Sequence, residues 1–327
     1  MLPAGERGGR VQDRPPLPLG VFVGRAQEQA RFAEVVARVE AGQPWLVAIE
    51  GDPGLGKTTL ARRCLADTDG GGLRVLPARG GQAEADLDFG LVDQLLRASG
   101  GIPQLIGSTD GISSPASSFA VGARLLEVVG EQQAGRPTAI FIDDLQWADR
   151  KSVEALTFML RRLSVDPVVA VVTYRGPADR LDEAAQRMLS SVENRLQVSL
   201  TGLALGEVAS LAAAFGSETL DDEVIRRLYQ DTGGHPLYLR TLLSEGSGFD
   251  PRTPGRLVLP RSLAAAIGDH LRGLPEETRG ILEMLAVLNL RTPVVQLGQA
   301  ADVASPSEAI EPAVTAGLVE WWPEEPT

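Results

Sequence analysis

The sequence predicts an α/β fold class, with a parallel, doubly wound sheet over residues 21–202 and a helical remainder. Three observations predict it. Short apolar runs rich in β-branched residues alternate with segments of helical periodicity as far as Leu200. One such run leads into a glycine-rich loop and a helix, and another ends in two adjacent aspartates. From Leu205 to Leu318 the strand pattern disappears, so this part of the chain is expected to be helical.

Length and composition fit a globular protein of two or three compact units. The chain has 327 residues, of which 43% are hydrophobic, and one unit usually takes about 100 to 200 residues. No apolar stretch approaches the roughly 20 residues of a membrane-spanning helix. Residues 1–20 are rich in glycine, proline and arginine, which predicts a flexible tail and a cytoplasmic location. The single cysteine, Cys64, fits a reducing compartment and is expected in the core.

The charge balance argues against tight nucleic-acid binding by this chain. The net charge is −12, and the 31 lysines and arginines are scattered among carboxylates instead of forming a basic patch. A polyanion such as a nucleotide would therefore need a local positive site together with its metal. The only two lysines are Lys57 and Lys151.

The first elements lead directly to the most informative motif. The segment VFVGR, Val21–Arg25, precedes a predicted helix at Ala26–Glu40 with a broad apolar face. A buried strand is predicted at Leu46–Ile49 and a helix at Lys57–Ala66. This strand–loop–helix setting is the one in which phosphate-binding loops occur.

The loop itself has the spacing of a phosphate-binding loop, G-x-x-x-x-G-K-[ST]. Its glycines let successive N–H groups face one oxyanion. Lys57 is expected to reach the β and γ phosphates of ATP or ADP, Thr58 to offer its hydroxyl to Mg²⁺, and the helix to point its positive end at the nucleotide. The alternative is a glycine-rich turn that binds nothing. The predicted cofactor-binding residues are Gly51, Asp52, Pro53, Gly54, Leu55, Gly56, Lys57, Thr58 and Thr59.

The remaining strands and helices of the α/β unit alternate along the chain. Ser99–Ser118 is a glycine- and serine-rich connection between two of the helices. Further strands are predicted at Leu73–Ala78, Thr138–Ile142, Val168–Thr173 and Leu196–Leu200, and helices at Phe89–Arg97, Phe119–Gln133 and Arg150–Leu163.

Two aspartates end the strand Thr138–Ile142. Asp143 is expected beside the phosphate loop, where it would hold Mg²⁺ directly or through water together with Thr58. Asp144 is the candidate to polarise the attacking water, although many ATPases with such a loop have a longer glutamate there. The alternative is a pair of turn-forming aspartates. Asp149 is expected to cap the helix that begins at Arg150.

Arg175 follows the strand Val168–Thr173. If that strand lies between the strands of the phosphate loop and Asp143, the guanidinium can meet the γ-phosphate and tell ATP from ADP. Arg175 is therefore a candidate for both nucleotide binding and catalysis. The alternative is a solvated arginine at the start of a loop.

The helical remainder divides into two parts. The first part is predicted to be a small lid of three helices, at Leu205–Phe215, Asp221–Gln230 and Leu237–Ser244. Gly234 and Pro236 separate the last two helices. Pro236 could press on the adenine of a nucleotide. The alternative is an ordinary turn between two helices, with proline at the start of the second helix and His235 as a turn residue. After a linker, helices at Ser262–Leu271, Pro275–Leu288 and Pro306–Ala316 and a strand at Leu318–Trp322 suggest most of a winged helix.

Five motifs together resemble one family. VFVGR, GDPGLGKTT, FIDDLQWAD, VVTYR and GGHPLYL resemble the signal-transduction ATPases with numerous domains (STAND). They look most like the N-terminal module of large ATP-binding LuxR-family transcriptional regulators, also classed as an origin-recognition-like AAA domain. The resemblance implies that Gly24, Arg25, Gly234 and Pro236 contact the nucleotide. It also implies DNA binding only through a C-terminal domain that this sequence lacks. As a separate hypothesis, we expect a nucleotide switch that self-associates when it binds ATP. The chain is therefore expected to be a truncation of such a regulator.

The resulting expectation is a P-loop NTPase of the AAA/STAND type that works as a slow, nucleotide-operated switch. The expected units are a tail at 1–20, a nucleotide-binding domain at 21–202, a helical lid at 203–245, a linker at 246–256 and a partial winged helix at 257–327. One alternative is an ATPase that forms a ring and turns over continuously. The lid shows no clear basic sensor residue, which argues against this alternative. Another is the same module attached to a different output, such as a nucleotide cyclase or kinase.

Overall fold

The computed structural model describes residues 21–67, 73–100, 117–132, 136–215, 220–244, 271–288 and 292–315, together with Gly268 and Val319. The predicted tail, the linker and the wing strand at Leu318–Trp322 lie outside the described residues, apart from Val319. Two other predicted segments also lie mostly outside the described residues, namely the connection Ser99–Ser118 and the helix Ser262–Leu271.

The centre of the molecule is a five-stranded sheet in the order β2-β3-β4-β1-β5, with every neighbouring pair parallel. This is the α/β fold class that the sequence predicted. Strand β4 lies between β1, which leads into the phosphate loop, and β3, which ends in Asp143. The strands are β1 (Trp45–Gly51), β2 (Arg74–Arg79), β3 (Thr138–Asp143), β4 (Val168–Arg175) and β5 (Arg195–Ser199).

Both faces of the sheet are covered because alternate residues of each strand point to opposite sides. Leu46 and Ala48 belong to a core shared with helices α3 to α6, whereas Val47 and Ile49 pack with α1 and α2. These helices are α1 (Ala26–Glu40), α2 (Lys57–Asp67), α3 (Gly90–Ala98), α4 (Ser118–Gln132), α5 (Arg150–Leu160) and α6 (Glu183–Leu189).

Most predicted helices and strands agree with the structure to within two residues, and in the α/β unit two helices differ. Helix α5 ends at Leu160 instead of Leu163, because Arg162 and Leu163 bond to carbonyls only three residues back. Helix α6 was missed. It has only seven residues, too few for a clear period, and begins where the carboxylate of Asp182 accepts the N–H of Ala185.

The helices beyond β5 form two further clusters, each with its own apolar core. The first contains α7 (Leu205–Ala214), α8 (Asp222–Thr232) and α9 (Pro236–Ser244), as predicted for the lid. The second contains α10 (Glu276–Leu288), α11 (Val294–Ala300) and α12 (Pro306–Thr315). The sequence analysis missed α11, whose seven residues include Gly298 and follow Pro293.

Asp149 caps α5, as predicted, and it also serves a second helix. Its carboxylate accepts the N–H of Ser152 at 2.8 Å. The same carboxylate accepts the N–H groups of Phe89 at 2.9 Å and Leu91 at 3.2 Å, at the start of α3. One buried side chain therefore satisfies free donors of two helix ends and fixes α3 against α5.

Within the described residues, no helix has the length and apolar character needed to cross a membrane.

Candidate functional site

A cleft of about 370 Å³ lies at the carboxyl ends of the strands, between the sheet and helices α7 and α9. Ligands of open parallel sheets bind at this edge. The lining contains both apolar and charged side chains. The apolar side chains are Val21, Phe22, Val23, Leu203, Leu211, Pro236 and Leu237, and the charged ones are Arg25, Lys57, Asp144, Arg175 and Arg240.

The loop between β1 and α2 lines the middle of this cleft, from Pro53 to Thr59. Gly54 and Gly56 adopt φ values of 84° and 90°, which non-glycine residues rarely adopt. The ammonium of Lys57 donates to the carbonyls of Gly51 at 2.7 Å and Asp52 at 2.8 Å. These two bonds stabilise the curved backbone of the phosphate loop that leads to Lys57.

Burial and the nearby guanidinium of Arg175 lower the pKa of Lys57 from its usual value, against the opposite effect of Asp144, Asp52 and Asp143. Burial therefore makes the charged form of Lys57 costly in this cleft. A bound phosphate would stabilise that form.

Asp143 lies beside the loop, at the tip of β3, and is 2% exposed. One carboxylate oxygen, Oδ1, accepts from the hydroxyls of Thr58 and Thr173, each at 2.7 Å. The other oxygen, Oδ2, is buried without a hydrogen-bond partner among the described residues, and its nearest cation is Arg79 Nε at 3.9 Å. An orphaned carboxylate oxygen beside a threonine hydroxyl fits a Mg²⁺ site, because Mg²⁺ takes one or two protein oxygens and completes its shell with water and phosphate.

Asp144 begins a tight turn with φ 59° and ψ 52°, and its carboxylate lines the cleft. Gln146 Nε2 donates to Oδ1 at 2.9 Å, and Arg79 donates to Oδ2 at 3.1 Å. The backbone N–H of Asp144 donates to the hydroxyl of Thr173 at 3.0 Å, so that this hydroxyl positions both aspartates. Arg79, Gln146 and Thr173 were not predicted as site residues. Arg79 ends β2 directly opposite Asp143, a pairing that the local sequence pattern does not reveal.

Arg175 ends β4, between the tips of β1 and β3, which is the strand order on which its predicted role depended. Its backbone N–H donates to Gln146 Oε1 at 3.2 Å. The side chain is 43% exposed and lies 3.9 Å from Asp144, from Nε to Oδ1. The guanidinium is thus held only loosely in the cleft.

Gly24 and Arg25 join the N-terminal segment to α7. The N–H of Arg25 donates to Glu207 Oε1 at 2.7 Å, and the N–H of Ala204 donates to Oε2 at 2.8 Å. A Cβ on Gly24 would lie 2.2 Å from Glu207 Oε1, so a larger residue would displace this carboxylate. The guanidinium of Arg25 is buried and donates to the carbonyl of Thr201. Glu207 was missed by the sequence analysis.

Gly234 and Pro236 lie where the last two helices of this cluster meet the sheet unit. The carbonyl of Gly234 accepts the N–H of Leu203 at 2.8 Å, and a Cβ on Gly234 would lie 2.1 Å from the Leu203 carbonyl. Only glycine permits this approach. Pro236 starts α9 and lines the cleft, and so does Arg240, one turn later on α9. This basic residue of the lid was not predicted from the sequence.

The arrangement suits a ligand with an apolar ring and several negative charges. The ring would lie against Val23 and Pro236, and the charges against the N–H groups of the loop and the cations of Lys57 and Arg175. Among the described residues, no cluster of three or more histidine, cysteine or acidic side chains could hold a metal alone. A Mg²⁺ ion at Asp143 would thus depend on ligands brought by the nucleotide.

Part of the α/β unit resembles a known family. Residues 21–172 match the family model of the AAA ATPase domain. No sequence among curated proteins matches the chain. Similar solved structures include the Aeropyrum pernix ORC2 protein in ADPNP and ADP complexes, with a TM-score of 0.57 and 15% identity over 92% of this chain and 88% of that one.

Two further structures are similar at comparable identity. The Aeropyrum pernix ORC1 protein in complex with DNA has a TM-score of 0.52 and 17% identity, covering 91% of this chain and 84% of that one. A STAND protein with a tetratricopeptide repeat sensor from Pyrococcus horikoshii has a TM-score of 0.44 and 21% identity, and this chain, 92% covered, spans 40% of its length. The similarity to the two Aeropyrum pernix proteins shows the fold of the P-loop NTPases, and within this chain residues 21–172 match an AAA ATPase domain.

Proposed function

We propose that this chain is an ATP- and ADP-binding switch module with slow ATP hydrolysis. The observation that carries the proposal is the contact between Thr58 and Asp143, which leaves a buried carboxylate oxygen unpartnered beside the phosphate loop. The cation beside this oxygen, Arg79 Nε at 3.9 Å, is too distant to hydrogen-bond and belongs to an exposed side chain, so a closer cation would stabilise the carboxylate. A nucleotide with Mg²⁺ supplies this cation.

Each site residue then has a distinct task. The loop from Gly51 to Thr59 binds the β-phosphate through its N–H groups, and Lys57 neutralises the β and γ phosphates. Thr58 and Asp143 would hold Mg²⁺, which supplies positive charge to the phosphates. Asp144 accepts a hydrogen bond from the attacking water, and Arg175 contacts the γ-phosphate. The short side chain of Asp144 and its pairing with Arg79 both favour slow hydrolysis.

The switch depends on contacts that differ between ATP and ADP. A ligand shifts a conformational equilibrium only by its difference in affinity for the two states. The γ-phosphate contact of Arg175 is such a difference, because ADP lacks this phosphate. Helix α9 contributes Pro236 and Arg240 to the same cleft, so that the nucleotide touches the sheet unit and the helical cluster together.

Replacement of Lys57 tests the binding site. We expect Lys57→Ala to lower the affinity for ADP and ATP by more than about a hundredfold, because two or more charge-assisted contacts are lost. Lys151→Ala is the matched control, since it removes the other lysine, whose ammonium pairs with the exposed Asp88 at 2.6 Å. Calorimetric titration measures both. Unchanged affinity in Lys57→Ala would refute the assignment of the site.

The resemblance of the motifs to LuxR-family regulators suggests the wider role. In this proposal, the module controls a transcriptional regulator in the cytoplasm, ATP promotes its self-association, and DNA is bound by another domain. Mass spectrometry of the nucleotide released by denaturing the purified protein identifies the resting state. Release of ADP supports a switch held closed by ADP, and an empty protein argues against one.

A second candidate function is a continuously cycling AAA-type ATPase. One observation favours it, namely Arg240, which places a basic side chain of α9 in the cleft. A phosphate-release assay combined with size measurement separates the two. Sustained turnover by a ring-shaped oligomer supports the cycling enzyme, and slow release with ATP-dependent association supports the switch.

A further inference from the structure

Three consecutive carbonyls of the phosphate loop are each held by a side-chain donor. Lys57 binds those of Gly51 and Asp52, and His235 binds that of Pro53 through Nε2 at 3.0 Å. The two donors have different origins, because Lys57 belongs to the loop itself and His235 to the turn before α9. This turn carries Pro236 and leads to Arg240, both of which line the cleft.

The bond fixes the tautomer of His235. A carbonyl can only accept, so Nε2 carries the proton, and the neutral ring then has a bare Nδ1. Nδ1 is buried without a hydrogen-bond partner among the described residues. Burial also lowers the pKa of His235, aided by the charge of Lys57 and opposed by the Pro53 carbonyl and the charge of Asp52. The ring is therefore a neutral donor at physiological pH.

The ring is closely packed on two sides. It stacks on Tyr238 with ring centroids 4.1 Å apart and an interplanar angle of 22°. On the loop side, a Cβ on Gly54 would lie 2.6 Å from His235 Cε1 and 3.0 Å from Leu237 Cβ. The absence of a side chain at Gly54 thus lets the histidine reach the carbonyl of the preceding residue.

We propose that His235 is a positioning residue for nucleotide binding, whose Nε2–H group holds the phosphate loop in its binding conformation and couples that loop to α9. This inference deepens the proposed nucleotide switch and rests on it. His235 directly precedes α9 and binds the carbonyl of Pro53. The N–H groups that follow Pro53 in the loop therefore keep their orientation as long as α9 stays in place. Movement of α9 would release the Pro53 carbonyl and weaken the phosphate site.

The role differs from that of Arg175 in its effect on nucleotide choice. The loop binds the β-phosphate, which ADP and ATP share, so loss of the His235 bond should weaken both nucleotides by the same factor. Loss of Arg175 should weaken mainly ATP.

Two replacements separate the hydrogen bond from the packing. His235→Gln retains an N–H donor near the position of Nε2, whereas His235→Phe retains the ring on Tyr238 and removes the donor. We expect His235→Phe to weaken ADP and ATP by about three- to tenfold, and His235→Gln to remain within about twofold of the parent. Titration calorimetry measures the affinities, and thermal unfolding without nucleotide reports on the fold.

The outcomes distinguish this inference from the proposed function. If the parent protein binds no nucleotide, the proposed function fails. If the parent binds but His235→Phe binds equally well, or His235→Gln loses as much as His235→Phe, only the role of His235 is overturned.

Hydrogen exchange of the unaltered protein gives a second result that does not depend on the folding of a variant. We expect ADP to slow exchange in residues 53–57 and in residues 235–239 together. Slowing confined to the loop would overturn the coupling.

Discussion

The hydroxyl of Thr58 donates a 2.7 Å hydrogen bond to Asp143, a residue 85 positions later in the chain. Thr58 lies in the first turn of α2, which follows β1 and the phosphate loop, whereas Asp143 ends β3, and β4 separates β1 from β3. Thr173 on β4 donates to the same carboxylate oxygen and so links the two. The metal half of the proposed site is therefore assembled from one helix and two strands.

Replacement of Asp143 should separate magnesium binding from nucleotide binding. In Asp143→Asn the charge at the orphaned oxygen disappears, so we expect the gain in ATP affinity that Mg²⁺ provides to fall by about tenfold or more. Asp144→Asn is the counterpart. It should keep that gain within about twofold and lower the rate of phosphate release by about tenfold. Titrations with and without Mg²⁺ measure the first effect, and equal magnesium dependence in Asp143→Asn and the parent would contradict it.

Arg175→Ala tests the discrimination between ATP and ADP. The guanidinium is 43% exposed and loosely paired with Asp144, so its loss should not unfold the protein. We expect ATP affinity to fall by about tenfold, with ADP affinity within about twofold of the parent, because only ATP carries the contacted phosphate. Parallel titrations give the ratio. Arg180→Ala, a nearby arginine outside the cleft, serves as the control, and an equal loss for both nucleotides would refute the γ-phosphate contact.

Asp149→Ala should be one of the more destabilising replacements on this chain. It removes the acceptor for three backbone N–H groups at the starts of α3 and α5. We expect a loss of about 3 kcal/mol, compared with about 1 kcal/mol for Asp182→Ala, which removes a single capping bond on α6. Denaturant unfolding of both variants measures the difference. Equal losses would show that the second helix gains nothing from Asp149.

Cys64 should be inert in the folded protein. Burial, followed by the charges of Asp67 and Glu28, raises the pKa of its thiol from 9.0 to about 12. We expect iodoacetamide at about pH 8 to label it only after unfolding. The unfolded thiol ionises first, so its contribution to stability is present below the unfolded pKa and falls as pH rises from there towards the folded pKa. Mass spectrometry after timed labelling checks the reactivity, and rapid labelling without denaturant would contradict the buried position.

The sequence was sufficient for the features that depend on neighbouring residues. The phosphate loop is a contiguous motif, and the strand that ends in Asp143 is an uninterrupted apolar run, so both were predictable. The place of Arg175 could be stated only as a condition, because strand order does not follow from local pattern. The parallel pairing of β4 with both β1 and β3 supplies that condition.

The features that were missed depend on contacts between distant segments or on short elements. Helices α6 and α11 have seven residues each. This is just under two helical turns, which is too short to show a helical period in the sequence. Arg79 reaches Asp144 only because β2 pairs with β3, and the second helix that Asp149 caps lies 58 to 60 residues before it. His235 had been assigned to a turn, and its bond to Pro53 spans 182 residues.

The residues of the proposed nucleotide site lie at the carboxyl ends of the parallel strands, and the amino ends of the strands form the opposite edge of the sheet. The turns that enter β1, β4 and β5 meet there around a separate polar hollow lined by Gln43, Ser164 and Asn194. Seven residues of β1, at about 3.3 Å each, put this edge roughly 20 Å from the phosphate loop. A fluorescent label or a short epitope inserted at this edge would therefore report on the protein without disturbing its cleft.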